Sequence, residues 1–329
     1  MATMTLTETN TEELAEAEPA CVCGSRKLVN LGPCRMPGVS TGSDVEKLLS
    51  QQLGPGFLYR CCECHLGLRL PRPDDAAIAA IYESLPTTRW RPGTVAGSAQ
   101  QYLIKRWKQA PARPLTVLDV GAFDGSFLCA LPEQFEKAAI EPSDAAAALK
   151  DHGIRVLKSY LQPPTSAEAG QFDVVTMFDV FEHLADPIQG MQAAMAYVRP
   201  GGRLFVGTGN LDHWSWRQTR GTHWYLDPIQ HVVVGSHRHF QWQAAALGVT
   251  SYRCRTFSHQ PGTVRQRFLQ SLTTLYFGAR QRGGWRQLPV RLLNRFDIFR
   301  RMAHKPAMPY TQQLHDHLLA EFVRGEVTA

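Results

Sequence analysis

Residues 117–127 read VLDVGAFDGSF, and this stretch decides the architecture. Val117, Leu118 and Val120 have the continuous apolar character of a strand covered on both faces. Asp119 lies near its end, and Gly121 and Gly125 turn the chain toward a helix beginning near Ser126. Glycine at these two points lets the backbone turn sharply and approach a ligand closely. Alone, such a turn fits both a nucleotide site and a purely structural corner.

Outward from it, LTVLDV, FLCAL, KAAIEP, AAAALKDHG, FDVVTMFDV, MQAAMAYV and GRLFVGT alternate short apolar runs with helical stretches. The alternation predicts an open, mainly parallel α/β sheet of Rossmann-like type with helices on both faces. Glu141 in AAIEPSD stands 22 residues after Asp119 and closes the second strand. A carboxylate there can accept both ribose hydroxyls of an adenosine.

The 329 residues exceed a typical single domain. The first twenty hold five glutamates and no basic residue, and residues 1–18 read as a flexible acidic tail. With no signal-like start and no apolar run of membrane-spanning length, a cytoplasmic location is expected. Of eight cysteines, six cluster at Cys21, Cys23, Cys34, Cys61, Cys62 and Cys64, while Cys129 falls in an expected core helix. Clustered thiols in a reducing compartment point to metal before disulfide. Residues 19–72 therefore read as a zinc-binding module with Cys21, Cys23, Cys61 and Cys64 as ligands, and with Cys34, Cys62 and His65 as alternatives for the fourth position. Several free thiols are the competing reading. Residues 73–112 read as linking helices, one running from Asp74 to a stop at Pro86 and another from Gln100 to Lys108, with a loop over Thr87–Gly97. The main domain is expected over 113–258 and a basic helical extension over 259–329. Between Arg253 and Lys305, twelve basic residues face Asp297 alone. Such a segment suits a phosphate-bearing acceptor, an anionic membrane face, nucleic acid, or simply a solvated surface.

These motifs together resemble the class I S-adenosylmethionine-dependent methyltransferases over Leu115–Gly209. The first motif is approximated by Leu118–Gly125, with Phe123 where many members have a third glycine. Glu141 matches the ribose acid, Phe172–Pro187 (FDVVTMFDVFEHLADP) the fourth-strand motif, and Val198–Leu204 (VRPGGRL) the turn into the fifth strand. The resemblance implies S-adenosyl-L-methionine as cofactor, met by Asp119, Gly121, Ala122, Gly125, Glu141, Pro142, Ser159, Tyr160, Asp179 and Val180; Phe178 reads as core packing. The wider arrangement is similar to the sugar C-methyltransferases and related natural-product or surface-glycan enzymes, in which a zinc module precedes the methyltransferase domain. The carriers are Cys23-Gly24-Ser25, Asn30–Pro33 and Arg60–Gly67.

Methyl transfer needs alignment and, for an oxygen or carbon acceptor, a base. His231 and His183 rank first for that role, then Tyr225. His183 also fits a pocket wall. His213, Trp214, Trp216, His223 and Trp224 read as substrate contacts, since aromatic faces pack on rings and sugars. Tyr225 and His231 are similar to the tyrosine and histidine of the sugar C-methyltransferases, but Gln230 stands where a glutamate commonly precedes the histidine, which weakens the case for carbon methylation. The expected partner is a small-molecule acceptor, a sugar or phosphate-bearing compound. Peripheral membrane contact through the basic segment stays open. A zinc-containing nucleic-acid-binding protein or RNA methyltransferase is the rival reading, but the fourth-strand region lacks the motifs of base methylation.

Overall fold

The computed structural model describes residues 18–36, 44–84, 95, 97–108, 113–282, 284–305 and 307–326. The acidic tail to residue 17 and most of the loop expected over Thr87–Gly97 lie outside the described residues, as does Pro86. The chain opens with β1 (Leu28–Pro33), α1 (Asp44–Leu53), β2 (Phe57–Cys61) and β3 (Gly67–Leu70), then α2 (Asp75–Glu83) and α3 (Ser98–Lys108). The alternating part follows as β4 (Thr116–Val120), α4 (Ser126–Cys129), β5 (Glu136–Ile140), α5 (Ala146–Asp151), β6 (Arg155–Lys158), β7 (Phe172–Phe178), α6 (Pro187–Tyr197) and β8 (Val198–Gly209). After it come α7 (Trp214–Thr219), β9 (Val233–Val234), α8 (His237–Ala246), β10 (Ser251–Phe257), α9 (Val264–Arg282), α10 (Leu288–Leu293), α11 (Asp297–Ala303) and β11 (His317–Val323).

The main sheet has the order β10-β11-β8-β7-β4-β5-β6, parallel from β8 to β6. Every residue of β7 is buried, as expected of a central strand covered on both faces. The helix start signals hold locally. Asp74 caps α2 by accepting from Ala77 N at 2.8 Å, and Asp186 caps α6 from Ile188 N and Gln189 N, with Pro187 in the first turn.

Two expectations need correction. The segment 259–329 is not wholly helical, because β11 lies between β8 and β10 and pairs antiparallel with both, His317 facing Gly209 and Phe257. A division at 258 would cut the sheet and leave β8 an unpaired edge. Nor does the cysteine segment stand apart from the main core. Its sheet, β1-β2-β3-β9, takes β9 from residues 233–234, and Cys21, Cys61, Cys64, Leu66 and Leu68 share one buried cluster with Leu118, Val175, Phe181 and Phe240. Arg69, 1% exposed, fastens β3 from inside by donating to the carbonyls of Leu226 and Pro55. Cys129, expected inside a core helix, is exposed.

Candidate active site and metal centre

The carboxyl ends of β4, β5 and β7 bring the first cluster together, at the edge where open α/β sheets hold ligands. Gly121 and Gly125 both take the left-handed backbone that glycine permits, with φ of +74° and +75°. Val180, just past β7, packs so closely on Gly121 that a Cβ there would stand 2.3 Å from Val180 Cγ2. Glu141 joins the loop to the second strand, accepting from Phe123 N at 2.7 Å and from Ser143 Oγ at 2.6 Å. Ser143 N also donates to Oε1 at 3.0 Å, so Oε1 is filled, and Oε2, which meets Phe123 N, keeps a lone pair for a ribose hydroxyl. Asp119, expected to touch the cofactor, is almost wholly buried and bonded by Thr176 Oγ1 at 2.6 Å. Burial lifts it to about 7 against that bond, so its place is in bracing β4 on β7. Pro142 follows Glu141, and Ser159 and Tyr160 follow β6 beside it, where Lys158 O accepts from Glu141 N.

The expected bases converge. The His183 and His231 rings lie 4.6 Å apart between centroids, and Tyr225 lies 4.7 Å from His231. His183 Nδ1 faces Gln230 O at 3.2 Å, and His231 Nδ1 faces Tyr225 O at 2.6 Å. A carbonyl can only accept, so each neutral ring carries its proton on Nδ1 and leaves Nε2 free to take one. Burial pulls His231 down to about 4, while burial and the neighbouring His231 hold His183 well below its ordinary range. Both are neutral at physiological pH. Tyr225 does not fit a base. Burial, then the carboxylates of Glu182 and Asp179, raise its phenol well above 10, and its oxygen accepts from Gly209 N at 3.0 Å.

Glu182, given no role from the sequence beyond its pairing with His183, lies with His183 and His231 in a group whose ligand atoms are all within 4.8 Å of one another. Burial and Asp179 push it up to about 7. Tyr82 of α2 was also missed. Its ring meets His183 edge-on at 5.8 Å, and Glu182 and Glu141 both face it. Its spacing with Ile78 and Ile81 reads as core periodicity, which hides it.

The expected substrate contacts divide. His213, Trp216 and His223 are packing residues: His213 Nδ1 and His223 Nε2 meet Ser215 Oγ at 2.8 and 3.0 Å, and Trp216 stacks on His223 at 4.0 Å. Trp214 and Trp224 remain half-buried, Trp224 edge-on to Tyr310 at 4.4 Å. A roomier cavity of about 320 Å³, lined by Thr116, Glu136, Arg155 and Phe172, opens at the opposite ends of the strands, away from the glycine turn and the histidines.

The four expected cysteines meet. Pairing of Leu28 with Cys61 lays the turn of Cys21 and Cys23 beside that of Cys61 and Cys64. Cys21 and Cys64 Sγ are 3.5 Å apart, Cys23 and Cys61 Sγ 3.6 Å, and all four lie within 4.8 Å of one another. Bonds of about 2.3 Å to a tetrahedral zinc put sulfurs at about this separation. Cys34 is buried elsewhere with Leu58 and Trp216, and Cys62 is exposed, so neither enters the group. The basic segment is partly used within the fold: Arg267 is 5% exposed and bonds Gln260 O, and Arg280 stacks on Phe277.

Residues 94–251 match the family profile described as a methyltransferase domain. The chain is 31% identical over 112 residues to the ubiquinone biosynthesis O-methyltransferases of Escherichia coli O139:H28 and Escherichia fergusonii. That match takes in 30% of this chain and 45% of each relative, so the chain spans less than half their length. Among solved structures it is similar to the YcgJ protein of Bacillus subtilis, at 17% identity and a TM-score of 0.46, covering 69% of this chain and 98% of that one. It is also similar to phosphoethanolamine N-methyltransferase 2 of Haemonchus contortus in complex with S-adenosyl-L-methionine, at 14% identity and a TM-score of 0.43, covering 71% and 55%. Residues 94–251 are thus similar to a methyltransferase domain, and they lie on a Rossmann-like α/β sheet.

Proposed function

We propose that this chain moves a methyl group from S-adenosylmethionine to a hydroxyl oxygen of a small molecule, a sugar, glycan precursor or secondary metabolite. The observation that carries the reading is the His183–His231 pair, with both Nε2 atoms free among the described residues, at the sheet edge that also bears the Gly121–Gly125 turn and Glu141. The cofactor, when bound, supplies an electrophilic methyl on a sulfonium. Backbone at Gly121 and Ala122 takes its amino-acid part and Glu141 its ribose. His231 or His183 receives the hydroxyl proton as the methyl arrives, and the nearby Asp179 carboxylate favours the imidazolium so formed. Tyr225 stays protonated and orients. The oxygen acceptor also agrees with the Escherichia relatives, which are O-methyltransferases. Incubation with isotope-labelled S-adenosylmethionine and a panel of sugars, phenols and amines, read by mass spectrometry, tests it. Label on a hydroxyl supports the reading, and label only on nitrogen or carbon overturns it.

Cys21, Cys23, Cys61 and Cys64 are proposed to hold one structural zinc, supported by the sulfur separations. It would join the two turns and keep β1–β3 seated against β9. Contact with an anionic membrane surface is proposed through α9 to α11, where Phe268, Trp285, Leu292 and Phe296 are exposed among arginines. Flotation with phosphatidylserine vesicles and with neutral vesicles checks it, and equal recovery with both would refute the charge argument.

A further inference from the structure

A second set of donors gathers at the same sheet edge, beside the histidine pair. Asp179 follows β7, His259 follows β10 by two residues, and His317 opens β11, so three strand ends deliver one carboxylate and two imidazoles. Their ligand atoms all lie within 4.8 Å of one another. The two rings stack at 4.4 Å, tilted by 12°.

The outward side of each ring is occupied. His317 Nδ1 is bonded to Asp316 Oδ1 at 3.0 Å, and His259 Nδ1 to Tyr310 OH at 3.0 Å. Asp316 is itself fixed, accepting from His259 N at 2.9 Å and from Gln313 N at 2.6 Å. Both Nε2 atoms are therefore left for the space beside Asp179. His259 Nε2 reaches Asp179 Oδ2 at 3.4 Å, a long contact. Among the described residues His317 Nε2 has no hydrogen-bond partner, although that side chain is only 8% exposed. A buried nitrogen without a partner calls for an explanation. An ion pair between Asp179 and His259 explains His259 but leaves His317 without a role. Asp179 itself is 52% exposed, so the open side of the group faces outward.

We propose that Asp179, His259 and His317 bind a divalent cation of the Zn²⁺, Co²⁺, Ni²⁺ or Mn²⁺ class. Two imidazoles and a carboxylate are the donors such ions take, leaving positions open for substrate, and a carboxylate or hydroxyl on the far nitrogen of each ring is the usual outer support. Resting on the oxygen-methylation reading, the ion's role is to bind the acceptor hydroxyl and ease loss of its proton. The proton passes to Nε2 of His231 or His183. The freed oxygen pair forms the new bond to the methyl carbon as the carbon–sulfur bond breaks, its electrons returning to sulfur.

The test uses the full chain, freed of metal and titrated with Co²⁺ in the absence of cofactor, by calorimetry and visible absorption. Co²⁺ at the cysteine site carries intense thiolate charge-transfer bands, whereas a nitrogen and oxygen site gives only weak ligand-field bands. Expected are two ions per chain, one without thiolate bands. That second ion is lost in His317→Ala and in Asp179→Asn, and is weakened about 10- to 100-fold in Asp316→Asn, the scale for an outer-support change. Asp179→Asn keeps shape and volume, so it decides the matter if His317→Ala does not fold. A single ion bearing thiolate bands, or undiminished binding of the second ion in folded Asp179→Asn, overturns the site. Failure of the methyltransferase reading would show differently, as Co²⁺ binding intact with no binding of S-adenosylmethionine.

Discussion

Replacing Gly121 with alanine probes the loop at its tightest point. The native φ is +74°, and the added Cβ would stand 2.3 Å from Val180 Cγ2, well inside contact distance. The left-handed backbone costs a non-glycine residue about 1–2 kcal/mol. Overpacking against Val180 adds about 1–3 kcal/mol. The total of about 2–5 kcal/mol divides between lost stability in the free protein and lost affinity for the cofactor. If the bound loop bears all of it, affinity falls roughly 30- to 4,000-fold, at about 1.4 kcal/mol per factor of ten. Calorimetric titration with S-adenosylmethionine measures one share and chemical denaturation the other. Val180→Ala removes the clashing methyl but not the backbone strain. The double variant should therefore recover about 1–3 kcal/mol relative to the sum of the single changes, a coupling that a double-mutant cycle isolates. Unchanged stability and affinity in Gly121→Ala, or strictly additive single changes, would refute the reasoning.

Either His231→Ala or His183→Ala is expected to lower kcat by about 100-fold or more with cofactor affinity nearly unchanged, the scale of losing a general base; near-normal turnover in both would leave alignment alone to drive the reaction. Acid should destabilise the fold early. Burial depresses His213, His231 and His239 to about 4 and His223 to about 3, so the unfolded chain binds protons there that the native chain does not. Stability from these groups is full above about pH 6.5 and is lost as pH falls toward 4 and below, against an opposing contribution from Asp119 and Glu182. A Tm that stays flat between pH 7 and 4 contradicts this. Metal analysis should find one zinc held by the cysteine group, absent in Cys64→Ser, and its removal by chelator should lower Tm. A folded, zinc-free preparation with four freely titrating thiols rules that out.

The repeating signals were readable along the chain because each rests on local physics. Val117–Val120 had to be a buried strand, Gly121 and Gly125 had to turn, Glu141 fell at the next strand end, and the Asp74 start of α2 is a local capping device. The Cys21, Cys23, Cys61 and Cys64 set was also nameable, since sulfur at such spacing has few uses. What side chains meet across the fold was not readable. His213, Trp216 and His223 have the composition of a pocket, yet β8 and α7 turn them inward onto Ser215. Tyr225 looked like a base until burial beside Glu182 and Asp179 fixed its proton.

The sequence alone determined the alternation of strands and helices over Leu115–Gly209, the glycine turn and the cysteine pairs, all features whose period or spacing spans a few residues. Only the tertiary structure decided that β11 completes the sheet and thereby carries His317 to within reach of Asp179 and His259, residues 138 and 58 positions earlier. The physical reason is that strand pairing is set by which edge remains unpaired and which face remains apolar. Those are properties of the assembled sheet and not of the seven residues that join it.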